Sequence, residues 1–166
     1  MNEKINNIAI ISGSGSLPRL LSEALIKENK CHAIVYFSNK APSWGSKKSF
    51  NISADFEKIG KLFDELKAGS FTNIVFAGGI KRPEINLSNV DGKFLSFADK
   101  ILPAMKAGDN KILELIVKIF ESEGFKVLGS ESIMPSLLDN QGVLTINKPK
   151  KQDIADIEGD KKARAA

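Results

Sequence analysis

The N-terminal part of the chain contains the pattern that most restricts the fold. A β-branched run at Asn7–Ser12 leads directly into the glycine-rich turn Gly13–Ser16. Apolar residues then recur at helical spacing from Leu17 to Leu25, and a second buried run follows at Ala33–Phe37. A strand, a helix and a strand in this order predict a βαβ unit, whose two strands are parallel.

The same alternation continues along the chain. Further central strands are predicted at 72–77 and Phe125–Leu128, and a short edge strand is predicted around Phe50 and Ile52. Helical spacing of apolar residues is found between them in three segments, which are Phe56–Leu66, Phe94–Met105 with Pro103 as an interruption, and Ile112–Phe120. The alternation predicts an α/β fold with a Rossmann-like, open, mainly parallel sheet and helices on both faces.

The C-terminal part has a different composition. A short helix is predicted at Ser132–Leu138 and a last strand at Leu144–Ile146. Beyond them the chain is polar, and Gln152–Ala166 has the pattern of a helix without a stop signal. We therefore predict a Rossmann-like domain over residues 1–146. Residues 147–166 are predicted to be a linker and the start of a truncated helix, which continues in a longer protein or packs on something absent from this chain.

Composition excludes several classes of protein. No apolar run approaches the roughly eighteen residues of a membrane span, and no leader pattern is present, so we expect a cytoplasmic protein. The single cysteine, Cys31, and the single histidine, His32, exclude an internal disulfide, a Cys/His zinc site and a Ser/His/Asp triad. Half of the net charge of +4 lies in the tail from Asn147. That distribution is too diffuse for nucleic-acid binding.

The first candidate site is the turn Gly13–Pro18. Backbone N–H groups between a strand and the start of a helix can hold a phosphate. The alternative is that the glycines only permit a tight turn, and the position favours ligand contact. A dinucleotide is not favoured, because Pro18 replaces the third glycine of the fingerprint and no acidic residue follows the second strand at Tyr36–Lys40.

The second candidate site is Ala77–Pro83, which follows the strand at 72–77. The carboxyl ends of parallel strands share one edge of a sheet, so this loop is expected beside the first one. Lys81 and Arg82 add two cations, whose natural partner is a phosphate or a diphosphate. A solvated basic turn is the alternative. Two glycine turns on one edge favour the anion site.

Other polar residues give weaker indications. Asp109 follows Gly108 at the start of a predicted helix, where capping and a functional role are equally compatible with the pattern. Asp153 and Asp156 are three residues apart, and helix solubility is the favoured explanation for them. A catalytic role is not expected for His32, because it opens the second strand far from the edge that carries the two loops.

Four segments in order resemble the N-terminal part of the LpxI family. They are IAIISGSGSLPRLLSEA at Ile8–Ala24, VFAGGIKRP at Val75–Pro83, KAGDNKILELIVKIFESEGFKVLGS at Lys106–Ser130, and MPSLLDNQGVLT from Met134 with DIADIEGDKKARA after it. Their order and spacing carry the resemblance over nearly the whole chain. The family comprises UDP-2,3-diacylglucosamine pyrophosphatases of lipid A biosynthesis.

This resemblance implies an enzyme that hydrolyses the diphosphate of a UDP-sugar lipid to UMP and lipid X with a divalent metal, Mg or Mn. The residue usually taken as the family's catalytic aspartate lies in a second domain. This chain alone is therefore expected to be inactive, and the metal is expected to bind mainly to the missing domain. The implied partners are the lipid substrate, that C-terminal domain and, through the lipid, the cytoplasmic surface of the inner membrane. A homodimer is left open.

The positions that match the family imply a set of substrate contacts. These are Gly13, Ser14, Gly15, Gly78, Gly79, Ile80, Lys81 and Asp109. Asn110 and Ser16 stand where the family often has acidic residues, which argues against metal binding by these loops. From the residues themselves, a non-enzymatic nucleotide-binding or regulatory α/β module stays as the alternative function.

Overall fold

The computed structural model describes residues 6–137, except positions 39, 46–48 and 82. Contacts divide the chain into two compact units, Met1–Met134 and Pro135–Ala166. The second unit is described only over its first turn of 3₁₀ helix, Pro135–Leu137. The predictions for residues 138–166, and for Arg82, therefore lie outside the described residues.

Among the described residues of the first unit, five strands form one parallel sheet. They are β1 (Ile8–Ser12), β2 (His32–Tyr36), β3 (Ser49–Ser53), β4 (Asn73–Ala77) and β5 (Lys126–Leu128), in the spatial order β3-β2-β1-β4-β5. All four neighbouring pairs are parallel, and in β1 Ser12 is level with Tyr36 of β2 and Ala77 of β4. The predicted open α/β fold is confirmed, including the edge position of β3.

Four helices cover both faces of this sheet. They are α1 (Leu17–Lys27), α2 (Ile59–Ala68), α3 (Gly92–Ala107) and α4 (Asp109–Ser122). Because side chains alternate along a strand, Ile8 and Ile10 pack with α1 on one face, whereas Ala9 and Ile11 pack with α2, α3 and α4 on the other. Within the described chain, no helix has the length and apolar character that a membrane crossing requires.

A single carboxylate joins the starts of two helices on the second face. Asp91 is the N-cap of α3 and accepts a hydrogen bond from the backbone N–H of Phe94 at 2.7 Å. Its other oxygen accepts from the backbone N–H of Gly60, at the start of α2, also at 2.7 Å. Donors that lack an intrahelical partner are thus satisfied on both helices.

Two local predictions are corrected, and one helix start lacks the side-chain cap that its residue type favours. Pro103 does not interrupt α3, which continues to Ala107, because the helix packs against the core on both sides of the proline, through Ile101 before it and Met105 after it. The helix expected at Ser132–Leu138 is replaced in the described part by two single 3₁₀ turns. Ser16 occupies the N-cap position of α1 but makes no side-chain cap, since its backbone is already helical (φ −87°, ψ −21°).

Candidate ligand-binding site at the carboxyl edge of the sheet

The two glycine loops meet at the point where the strand order reverses. From β1 the chain moves outward to β2 and β3, and it then crosses to β4 and β5 on the other side. The loops after β1 and β4 are therefore neighbours at the carboxyl edge, as predicted. In open α/β sheets this is the place where ligands bind.

The two loops are joined by hydrogen bonds beyond the ends of their strands. The Ser14 N–H donates to the Gly79 carbonyl oxygen at 2.7 Å, and the Gly79 N–H donates back to the Ser14 carbonyl oxygen at 3.1 Å. The Ser14 hydroxyl also donates to the Gly79 oxygen at 2.9 Å, and the Gly13 N–H donates to the Ala77 oxygen at 2.7 Å. We call this arrangement the loop clasp.

Glycine is required at two positions of the loop clasp. A Cβ atom at Gly13 would lie 2.5 Å from the Gly79 carbonyl oxygen, which is far inside van der Waals contact. A Cβ atom at Gly78 would overlap the Ser14 carbonyl oxygen, and the φ of Gly78 is +82°, where L-residues are strained. Gly78 and Gly79 thus approach the backbone of the other loop closely.

The loop clasp determines which backbone donors face a ligand. The N–H groups of Gly13, Ser14 and Gly79 are occupied within it. Those of Ser16 and Leu17, at the start of α1, make no hydrogen bond to another described residue. The positive end of the α1 dipole therefore has free donors beside the clasp, which suits an anion.

An apolar cavity of about 350 Å³ opens beside the loop clasp. Residues at the ends of β1 and β4 and in the loop after β4 line this cavity. The other lining residues are Phe37 after β2, Phe56 after β3, and apolar residues of the helices α2, α3 and α4. Every lining residue among those described is apolar except Lys81. The cavity lies on the face of the sheet that α1 does not cover.

The mouth of this apolar cavity coincides with the second glycine loop. Ile80 and Leu113 both line the cavity and are 42% and 50% exposed, so the cavity reaches solvent near them. Gly78 and Lys81 line the same region, and Lys81 is exposed. The structure thus places a cation and a glycine of the loop clasp at the opening of an apolar chamber.

A pair of stacked aromatic rings forms the wall below β2 and β3. The Phe37 and Phe56 ring centroids are 3.9 Å apart, and the rings are nearly parallel at 8°. Each ring follows its strand at the carboxyl edge, and both line the apolar cavity. Mutual stacking leaves one wall of the cavity rigid and purely apolar.

The remaining candidate residues have mixed outcomes. The backbone of Asp109 begins α4, with Gly108 in the N-cap position, and Ile112, one turn later, lines the apolar cavity. The Asp109 side chain lies outside the description. Substrate contact at all eight matching positions stays a prediction. Among the side chains described, no three His, Cys, Asp or Glu residues are grouped to hold a metal ion.

His32 lies at the start of β2, away from the two glycine loops, as its sequence position predicted. It is fully buried at the start of β2, and its Nε2 lies 2.7 Å from the Ser22 hydroxyl of α1. Burial lowers the pKa of His32, and a hydrogen bond with the Lys30 carbonyl oxygen opposes this only in part. The histidine is at the amino end of the sheet, away from the loop clasp.

A charged cluster joins the three helices that surround the apolar cavity. Glu123, just after α4, accepts from Lys93 of α3 at 2.9 Å and from Lys67 of α2 at 3.2 Å. The hydrogen bond from Lys93 is the largest of the effects that lower the pKa of the Glu123 carboxyl. The cluster stabilises the helix arrangement on this face.

Sequence reasoning did not find the apolar cavity. Ile101 and Ile116 were identified only as members of inner helical faces, and Phe37 only as part of a strand. Periodicity shows which side of a helix is buried. Whether the buried sides fill the space between them depends on tertiary distances, for which the sequence carries no direct signal.

Comparison with known families supports the resemblance. The model of the LpxI N-terminal domain matches residues 7–137. The matched region contains all five strands, all four helices and both loops of the clasp.

A curated relative aligns over most of the chain. It is the UDP-2,3-diacylglucosamine pyrophosphatase LpxI of Caulobacter vibrioides, which is 25% identical over 155 residues. The alignment covers 93% of this chain and 55% of the relative. The chain therefore spans about half the length of the relative that it matches.

Proposed function

The chain belongs to the LpxI family, and from this premise we propose that it is the N-terminal, substrate-binding domain of a UDP-2,3-diacylglucosamine pyrophosphatase. The proposed reaction of the complete enzyme is hydrolysis of the UDP-sugar lipid diphosphate to UMP and lipid X. The observation that carries the proposal is the loop clasp at the switch point, where the N–H groups of Ser16 and Leu17 make no hydrogen bond to another described residue and Lys81 is exposed.

These groups suit a diphosphate for electrostatic reasons. The N–H groups of Ser16 and Leu17 lie at the positive end of the α1 dipole and need acceptors. The exposed Lys81 adds a positive charge at the mouth of the apolar cavity. In this proposal Gly13, Ser14, Gly15, Gly78 and Gly79 give the edge its shape and close backbone approach, and Ile80 lies beside the bound sugar.

We place catalysis in a second domain of the longer protein. Hydrolysis of a diphosphate needs positioned carboxylates or a metal that stabilise the transition state more than the ground state. The described edge supplies N–H donors and a cation instead. The divalent metal, Mg or Mn, is assigned in this proposal to the second domain, and the protein acts at the cytoplasmic face of the inner membrane, which it reaches through its lipid substrate.

The first test is a titration of the 166-residue chain with UDP, followed by NMR. The largest backbone shifts are expected at Gly13–Ser16 and Gly78–Lys81. Lys81→Ala should weaken UDP binding by about 1–3 kcal/mol, the range for a hydrogen bond to a charged group. Lys126→Ala is the matched control, since Lys126 is exposed at the start of β5 on the opposite edge. Shifts confined to that opposite edge, or equal effects of the two variants, would contradict the proposal.

The second test measures UMP release from UDP-2,3-diacylglucosamine with added Mg²⁺ or Mn²⁺. The 166-residue chain is expected to be inactive, and a version extended over the full length of the relative is expected to turn over. Comparable turnover by the short chain would move the catalytic acids into it. UDP binding without hydrolysis by the extended protein would instead favour the regulatory module.

A further inference from the structure

Strand β3 forms one edge of the sheet, so only one side of its backbone pairs with another strand. Just after β3, the Ala54 N–H donates to the Tyr36 carbonyl oxygen of β2 at 2.8 Å. Because alternate residues of a strand turn their N–H and C=O groups to opposite sides, those of Asn51 and Ser53 face away from β2. There they make no hydrogen bond to another described residue. The edge therefore offers the donors and acceptors that a further strand needs.

Strand β3 also lacks the features that keep sheet edges from pairing. Proteins protect an edge with charged side chains, proline, a bulge or a very short strand. Ser49–Ser53 contains no charged residue and no proline, and its register with β2 runs one to one without a bulge. The opposite edge is protected, since β5 has only three residues and begins with the exposed Lys126. Of the two edges, β3 is therefore the one that favours pairing.

An apolar row of side chains runs along this open edge. Phe50 is 60% exposed, the highest value among the large apolar side chains described. It shares one face of the strand with Ile52 and Ala54, because side chains alternate along a strand. Its ring meets that of Phe71 edge to face, with 5.8 Å between the centroids. The row thus has a large, exposed ring at one end and a small methyl group at the other.

We propose that β3 pairs with β3 of a second copy of this chain, antiparallel and about a two-fold axis at Ile52. In this register Asn51 of one copy is opposite Ser53 of the other, and each of these pairs exchanges its N–H···O bonds. Phe50 of each copy is opposite Ala54 of the other, so a large side chain meets a small one on both sides of the axis. The strand is therefore complementary to itself, as a two-fold interface requires.

This self-complementarity favours a second copy over a strand of another protein. A foreign strand would have to supply the matching sequence of sizes, whereas symmetry supplies it twice from the same residues. The strand carries no charge that would repel its own copy. The contact consists of one five-residue strand and one exposed ring from each copy. Interfaces this small belong to transient complexes, so the association is reversible.

The pairing joins two five-stranded sheets into one continuous sheet. Because the two copies of β3 run in opposite directions, the two loop clasps lie at opposite edges of the joined sheet. Neither clasp is then part of the contact, and the inference does not depend on the proposed function. Phe50→Lys should accordingly bind UDP as the unmodified chain does, so a failure of either idea is distinguishable from a failure of the other.

Sedimentation velocity of the 166-residue chain tests the association between about 10 µM and about 1 mM, the range suited to weak complexes. The apparent mass should rise from that of one chain toward that of two. Phe50→Lys should abolish this rise, because it places a charge on the open edge. Leu95→Lys is the matched control, since Leu95 is 58% exposed on α3, and it should leave the rise unchanged. A constant mass of one chain, or association that persists in Phe50→Lys, would overturn the proposal.

NMR of the unmodified chain tests the register without any variant. Phe50 and Ala54 are four residues apart in an extended strand, roughly 13 Å at 3.3 Å per residue, so an NOE between their Hα protons arises only between copies. It should appear at high concentration and vanish on dilution. Amide protection of Asn51 and Ser53 should also rise with concentration, whereas that of Ile52, which faces β2, should stay constant. Concentration-dependent changes confined to the helices, or protection of Asn51 without the NOE, would overturn the proposal.

Discussion

Replacement of Gly78 by alanine should break the loop clasp, and the matched replacement of Gly15 should not. Both glycines have positive φ, +82° and +96°. They differ in the space around them, because a Cβ atom at Gly78 would overlap the Ser14 carbonyl oxygen and lie 3.0 Å from the Gly13 carbonyl carbon, whereas one at Gly15 would meet nothing within 4 Å. The comparison therefore separates backbone strain from the loss of the clasp.

The expected magnitudes follow from these contacts. A non-glycine residue in the left-handed region costs about 1–2 kcal/mol, and this applies to both variants. In Gly78→Ala the overlapped atoms are backbone and cannot move aside as a side chain would, so the loops must separate. Two backbone hydrogen bonds between Ser14 and Gly79 are then lost, at about 1 kcal/mol each. Gly78→Ala should therefore be about 2 kcal/mol less stable than Gly15→Ala.

Urea unfolding and amide hydrogen exchange measure this difference. For a chain of this size, 2 kcal/mol corresponds to a Tm lower by roughly 4–8 °C. Amide protection of Ser14 and Gly79 should disappear in Gly78→Ala and persist in Gly15→Ala. Equal stability of the two variants, or preserved protection at Ser14 in Gly78→Ala, would show that the clasp does not hold the loops together.

Two further predictions concern the titrating groups beside the core. Because burial lowers the pKa of His32 in the folded chain, the histidine of the unfolded chain is protonated first as the pH decreases. The contribution of the neutral histidine to the free energy of unfolding is therefore complete above about pH 6.5 and decreases below that pH. Chemical unfolding measured from pH 7.5 to 5 should show this loss of stability, and His32→Gln should not show it. The Glu123 carboxyl has a lowered pKa, so its contribution is present above about pH 4.5 and is lost as the pH falls through its folded value. Glu123→Gln should lower the free energy of unfolding by about 1 kcal/mol at pH 7. Glu121→Gln, on the exposed side of α4, should leave it almost unchanged. A stability difference between wild type and Glu123→Gln that persists at pH 2 would contradict the assignment.

The sheet and the meeting of the two glycine loops were predictable from local patterns. β1, β2 and β4 are short apolar runs that end in glycine or polar residues, and their helical connections require parallel pairing. The strand order then follows with little freedom, because crossover connections are short and of one hand. Topology alone brings the ends of β1 and β4 to one edge, without any information about side chains.

The contacts made by these loops were not predictable in the same way. The pattern Gly13–Ser16 is compatible with a phosphate loop, and the structure shows that its nearest donors are used by the loop after β4. A hydrogen bond between residues 65 positions apart in the chain, such as that from the Ser14 hydroxyl to the Gly79 oxygen, leaves no local trace. The same holds for Asp91, whose second helix partner, Gly60, comes 31 residues earlier.

The charge pattern of the edge limits what this domain can contribute to the proposed reaction. In the proposed function, the N–H groups of Ser16 and Leu17 and the cation of Lys81 would bind a diphosphate before and during its cleavage with similar strength, and uniform binding of that kind lowers KM without raising kcat. Contacts to the acyl chains of the proposed lipid substrate would act in the same manner, since these chains are remote from the phosphorus atoms. The binding energy of either part of the substrate becomes useful for catalysis only if it fixes the diphosphate against groups carried by another domain, because fixed orientation removes the entropy that the reacting groups would otherwise lose. On this reasoning, shortening the acyl chain should lower kcat/KM of the complete enzyme mainly through KM, while loss of the second domain should abolish kcat.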